Sequence, residues 1–152
     1  LHRNFQGYST QPDADLIGLG VSAIGKVGAT YSQNAKDLIE YQDRLDHGQL
    51  PVVRGLAVTR DDLLRRAVIM GLMCQGRVQF ESIELSQLVD FKRYFASELK
   101  RLAAMQDDGL VKVTDSAIEV TPMGWFFVRG VAMVFDKYLQ AAQTRARFSR
   151  IL

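Results

Sequence analysis

Between Asp61 and Pro122 the apolar residues switch repeatedly between helical and alternating spacing, and that order of periods limits the fold more than any other feature. Leu64, Val68 and Leu72 recur at successive turns of a helix over 61–76. Arg77-Val78-Gln79-Phe80 then alternates as a short strand. A short helix over 82–89 follows, and a longer one over 91–106 whose apolar stripe is Phe91, Phe95, Leu99, Leu102 and Ala103. Asp107-Asp108-Gly109 stops it, the glycine suiting a left-handed cap. Residues 110–113 and 117–121 flank Thr114-Asp115-Ser116 and predict a hairpin. Thr121-Pro122 opens a last helix with proline at its first position. Trp125, Phe126, Phe127, Val131, Val134, Phe135 and Tyr138 are spread around most of that helix, which is therefore either a central core helix or docked on something else.

Helix, strand, helix, helix, hairpin, helix is the order of a winged-helix domain, in an α+β, mainly helical chain. Upstream, residues 52–58 read as extended, and Thr59 precedes a helix whose first turn holds Asp61 and Asp62 where the macrodipole favours them. Residues 32–46 read as a helix with Leu38, Ile39, Tyr41 and Leu45 at helical spacing, ended by His47-Gly48. Residues 1–30 are glycine-rich. The run from Asp15 to Gly25 is apolar on both faces, which suits a buried strand and adjoining loop of an α/β sheet. Such strands need neighbours that the chain does not obviously supply, a sign of truncation.

Several function classes are excluded by residue type. One cysteine, Cys74, permits no disulfide framework, fits a reducing compartment such as the cytoplasm, and cannot by itself build a Cys-only metal or iron–sulfur site. Cys74 lies on an apolar helix face with no histidine near it in sequence, so it reads as a packed thiol. His2 and His47 stand at no ligand spacing, and no metal site is expected. Gly18-Leu19-Gly20 lacks the third glycine and the acidic residue of a dinucleotide fingerprint. The most apolar stretch, 125–135, contains Arg129 and is too short to span a membrane, so no membrane partner is expected.

Charge argues against nucleic acid. Residues 61–121 carry eight basic and ten acidic side chains, and Lys92, Arg93, Lys100 and Arg101 of the candidate recognition helix are surrounded by Asp90, Glu98, Asp107 and Asp108. Phosphate neutralisation needs the opposite balance. A winged-helix module would suit a protein partner better than DNA. The basic excess sits in residues 122–152, where Arg145, Arg147 and Arg150 accompany Phe148. By default such a terminus is a solvated tail.

The opening segment carries the most chemical information. Asn4-Phe5-Gln6-Gly7-Tyr8-Ser9-Thr10-Gln11 combines an aromatic ring, amides and a glycine in one loop, which permits stacking, bidentate hydrogen bonding and close backbone approach to a ligand. Together with Asp15-Leu16-Ile17-Gly18-Leu19-Gly20-Val21-Ser22-Ala23-Ile24, it resembles the end of the barrel in the oxygen-independent coproporphyrinogen III oxidase family of radical S-adenosylmethionine enzymes. The resemblance continues in order through Arg54-Gly55, the segment 56–62, Asp108-Gly109-Leu110-Val111, Phe135-Asp136 and Arg147-Phe148-Ser149-Arg150-Ile151, covering essentially the whole chain.

That resemblance implies a parent enzyme that converts coproporphyrinogen III to protoporphyrinogen IX without oxygen, turning two propionates into vinyls. The family uses a 4Fe-4S cluster and holds two S-adenosylmethionine molecules. Phe5, Gln6 and Ile24 match positions associated with the second of these; physically they offer ring packing, polar-edge bonding and an apolar wall. The cluster requires three closely spaced cysteines, so this chain implies a C-terminal piece, inactive alone, with its partner being its own N-terminal catalytic domain. On this basis residues 1–30 are expected to be a remnant of the TIM-like α/β barrel, 31–49 a connecting helix, and 50–152 a helical, winged-helix-like accessory domain. Substrate propionates would make Arg145, Arg147 and Arg150 candidate contacts by charge-assisted pairing.

Overall fold

A computed structural model of the chain describes residues 2–4, 7–10 and 14–139. The fold is α+β and divides into two compact units, Leu1–Leu63 and Leu64–Leu152.

In the first unit, β1 (His2–Asn4) and β2 (Gly7–Ser9) form an antiparallel ribbon in which Arg3 lies 5.5 Å from the centre of the Tyr8 ring. A second antiparallel sheet contains β3 (Ile24–Val27), β4 (Thr30–Asn34) and β5 (Val52–Ala57), in that order. Between β4 and β5 runs α1 (Leu38–Asp46). Its N-cap is Asp37, whose Oδ1 accepts from the Glu40 N–H at 2.9 Å, and His47 caps its other end before Gly48.

Two expectations change here. The helix predicted over 32–46 starts only at Leu38, because Thr30–Asn34 is a central strand paired on both edges. Ladder bonds on two sides outweigh the spacing that suggested a helix, which begins where Asp37 can cap it. The buried α/β strand predicted over Asp15–Gly25 is also absent. Leu16 makes one antiparallel bridge to Lys26, regular pairing begins at Ile24, and Ile17 and Leu19 are 75% and 86% exposed. The apolar run has no second layer within the described residues of this unit, whose buried residues are only Gly25, Asn34, Ala35 and Pro51.

Helix α2 (Arg60–Gln75) starts with a reciprocal cap. Asp62 Oδ2 accepts from the Thr59 N–H at 2.8 Å and from its hydroxyl at 2.7 Å, while the Asp62 N–H donates to Thr59 Oγ1 at 3.3 Å. The predicted stripe of Leu64, Val68 and Leu72 is buried in the core of the second unit. There follow β6 (Arg77–Gln79), α3 (Phe80–Gln87), α4 (Phe91–Tyr94), α5 (Ala96–Asp107), β7 (Val111–Val113) and β8 (Ala117–Val120). The strands form an antiparallel sheet in the order β6–β8–β7. A 3-10 turn (Gly124–Phe127) leads into α6 (Val128–Met133).

The helix predicted over 91–106 is broken at Phe95, whose φ of −101° and ψ of 26° leave the helical region. Phe91 and Phe95 are both fully buried, with ring centres 4.9 Å apart, while beyond the break Ala103 faces solvent and Met105 packs on the core instead. The last helix is likewise interrupted. Gly124 approaches Leu110 so closely that a Cβ there would lie 1.8 Å from the Leu110 carbonyl oxygen, and Thr121 Oγ1 accepts its N–H at 2.9 Å. The tight turn exposes Trp125, Phe126 and Phe127 and buries Val131, Val134 and Phe135, so only the second half is core.

A line of aromatic contacts runs through that core: Phe80 stacks on Phe91 at 4.3 Å, and Phe95 meets Phe135 edge-on at 5.3 Å. Beside it lies a buried ion pair. Arg65 Nη1 donates to Glu98 Oε1 at 2.8 Å and to the Phe135 carbonyl at 3.2 Å, and Ser97 Oγ donates to Glu98 Oε2 at 2.7 Å. Burial alone would push the Glu98 carboxyl up, but the hydrogen bonds from Arg65 and Ser97 outweigh it and hold it below the usual 4.5. A depressed carboxyl stabilises the fold above its unfolded value and loses that contribution as pH falls below about 4.5 toward its folded value. Glu98→Gln should therefore cost about 3 to 5 kcal/mol at neutral pH, by leaving Arg65 uncompensated. In urea titrations the variant should also lose less stability on acidification from pH 5 than the unaltered chain; an unchanged acid limb would contradict this.

Candidate functional site

Of the residues singled out from sequence, Ile24 can be placed; Phe5, Gln6, Arg145, Arg147 and Arg150 lie outside the described residues. Ile24 opens β3 and is half-buried. It forms one wall of a cleft of about 280 Å³, whose other walls are Leu16, Ile17, Gly18, Leu19, Ser22 and Ala23. The lining is mostly aliphatic, with the Ser22 hydroxyl as its side-chain polar group. A cleft of this kind takes a flat or apolar ligand part, with orientation left to backbone groups and neighbouring side chains.

The walls are close because two residues lack side chains. A Cβ on Gly18 would sit 2.8 Å from the Ile24 carbonyl carbon and oxygen, and one on Gly25 would sit 3.1 Å from the Leu16 oxygen. The segment from Leu16 to Gly18 is thereby laid flat along β3. Reciprocal bonds between Leu16 and Lys26, at 2.6 and 2.7 Å, pin one end, and Asp15 Oδ1 accepts the Gly28 N–H at 2.7 Å.

The other end is held by a side chain that sequence reasoning missed. Asn34, 6% exposed at the end of β4, donates from Nδ2 to the carbonyls of Gly18 at 3.0 Å and Gly20 at 2.9 Å. The Tyr41 hydroxyl on α1 accepts the Gly20 N–H at 3.1 Å. The Ser22 N–H donates to the Ala35 carbonyl at 2.7 Å, and Ser22 itself has a φ of +60°, a left-handed conformation uncommon for a residue with a side chain. An asparagine in a strand, where that residue type is depleted, was the available signal for a special role. Tyr41 read only as an apolar helix position, although its hydroxyl is what acts.

The remaining candidates behave structurally. His47 Nδ1 lies 2.7 Å from the Asp43 carbonyl at the end of α1, and Cys74 packs partly buried against the core. Among the described residues, no three His, Cys, Asp or Glu side chains are grouped to hold a metal ion, and no helix is long and apolar enough to cross a membrane.

Residues 58–127 match the family model described as the HemN C-terminal domain. Over its whole length the chain is similar to oxygen-independent coproporphyrinogen III oxidases. It is 45% identical to that of Escherichia coli strain K12 over 152 residues and 47% identical to that of Pseudomonas aeruginosa over 155. In each case all of this chain aligns with 33% of the relative, so it spans about a third of their length. A solved structure of the Escherichia coli coproporphyrinogen III oxidase (HemN), described as a radical SAM enzyme, superposes with a TM-score of 0.88 and 47% identity, covering 90% of this chain and 32% of that one. Fold and sequence together resemble the C-terminal portion of that radical SAM enzyme. From end to end the chain matches the C-terminal part of oxygen-independent coproporphyrinogen III oxidases.

Close packing at Gly18 has a measurable consequence. Gly18→Ala should strain the Leu16–Lys26 bridge by about 1 to 3 kcal/mol of overpacking. Amide exchange at Leu16 and Lys26, followed by NMR, should then be at least about tenfold faster; unchanged protection would show that the segment does not rest on β3 in solution.

Proposed function

We propose that the chain serves, within a longer parent, the oxidative decarboxylation of coproporphyrinogen III to protoporphyrinogen IX. The observation that carries this is the end-to-end similarity to the Escherichia coli enzyme, at 45% identity with no part of the chain left over. In that reaction each propionate loses carbon dioxide, one hydrogen atom and one electron to become a vinyl. A 4Fe-4S cluster with S-adenosylmethionine would supply the hydrogen-abstracting radical. One cysteine does not fit a cluster that needs three thiolates, so its ligands would come from the rest of the parent.

What this chain contributes is a wall of a binding site. Ile24 and the cleft beside it suit the apolar face of an adenosyl group, and Phe5 and Gln6 would complete the site as the second S-adenosylmethionine position. Support comes from the first unit's surface, where Ile17, Leu19, Leu38, Ile39 and Leu50 are all more than half exposed. Exposed apolar side chains at that density call for cover, which the parent's N-terminal catalytic domain would give. Residues 1–30 would then be the edge of its barrel, 31–49 a connection, and 50–152 an accessory domain of winged-helix type. The parent would be a cytoplasmic enzyme, and nucleic acid is not among its partners on this reading.

Two experiments test it. Anaerobic reconstitution of the isolated chain with iron and sulfide should leave no iron–sulfur absorption; a stable, active cluster species would overturn the assignment. In the full-length parent, Arg147→Ala should raise KM for coproporphyrinogen III, since Arg145, Arg147 and Arg150 would pair with its propionates. Unchanged kinetics would remove the tail from the substrate site.

A further inference from the structure

We propose that Asn34 and Tyr41 are positioning residues, a two-sided clamp on the Gly18–Gly20 turn that sets the affinity of the Ile24 cleft for an adenosyl ligand without touching it. This rests on the reading of the cleft given above. Gly20 is held from both directions: its N–H donates to Tyr41 Oη at 3.1 Å, and its carbonyl accepts from Asn34 Nδ2 at 2.9 Å. The same Nδ2 reaches the Gly18 carbonyl at 3.0 Å. One amide nitrogen therefore spends both of its hydrogens on one turn, which fixes the distance between the two carbonyls.

The clamp has work to do. Leu19, carried between the two clamped glycines, lines the cleft yet is 86% exposed, so apolar packing does not hold it. Ser22 at φ +60° lies in a conformation that a residue with a side chain rarely occupies, and Gly20 at φ +99° in one open to glycine but not fixed by it. Asn34 is buried, whereas the turn it holds is at the surface, so the order of the cleft wall is imposed from β4 and α1 beneath it. A ligand entering a preformed wall is spared the entropy of ordering it, and this gain would appear as affinity.

The test uses the reconstituted full-length holoenzyme and anaerobic calorimetric titration with S-adenosylmethionine, alongside melting curves and cluster content. Asn34→Asp places an anionic oxygen against two carbonyl oxygens and should open the turn. One of the two binding steps expected from the family resemblance should weaken by about tenfold or more, the scale of losing two hydrogen bonds, with the other within twofold and cluster content unchanged. Tyr41→Phe removes a single bond and should weaken the same step by about threefold; it carries the test if Asn34→Asp does not fold. Ile24→Asn, in the cleft itself, is the reference. If Ile24→Asn weakens one step and both clamp variants leave it alone, the clamp is wrong and the cleft assignment stands. No change in any of the three overturns both. Equal weakening of both steps with a lowered melting temperature would reduce Asn34 to general support of the fold and overturn the proposal.

Discussion

Removing a guanidinium and a carboxylate from water is costly, and the second unit is built around making that removal tolerable. Arg65 and Glu98 leave water together, and each is given further partners: Ser97 for the carboxylate, and the Phe135 carbonyl and Phe95 ring face for the guanidinium. The pair joins α2 to α5, and the bond to Phe135 ties both to the segment after α6. The aromatic contacts from Phe80 through Phe91 and Phe95 to Phe135 supply apolar burial along the same path. Burial fills the space, and the ion pair links the helices across it.

The first unit solves a different problem. It has almost no buried apolar side chain among its described residues, and its order comes from backbone pairing and from polar side chains turned inward. Asn34 takes the part that a leucine plays in the second unit. A structure held this way tolerates an apolar surface, because the interior does not depend on hiding those residues.

These two modes explain what was legible in the sequence. Where apolar burial dominates, period gave the answer: Leu64, Val68 and Leu72, the strand at Val78 and the hairpin around Asp115 all lie where spacing put them. Period failed where a backbone contact intervenes. The turn at Gly124 depends on a backbone group distant in sequence, the Leu110 carbonyl, and nothing in the residues around Phe95 announces the break there. In the first unit residues 32–34 looked helical because nothing in the residues themselves announced strands on both sides. Among the described residues of the candidate site, Ile24 was singled out from the sequence; the groups that shape its cleft act through an amide and a hydroxyl whose partners are distant glycine backbones.

The bonding of Arg65 also sets a schedule for synthesis. Its charge partner follows 33 residues later and its carbonyl acceptor 70 residues later. A nascent chain emerging from the ribosome can hydrate Arg65 but cannot bury it until α5 has appeared, and cannot close the helices over it until Phe135 is clear of the exit tunnel. Closing loops of that length is slow compared with forming local helices. Native packing around Arg65 therefore waits on segments that are synthesised well after α2.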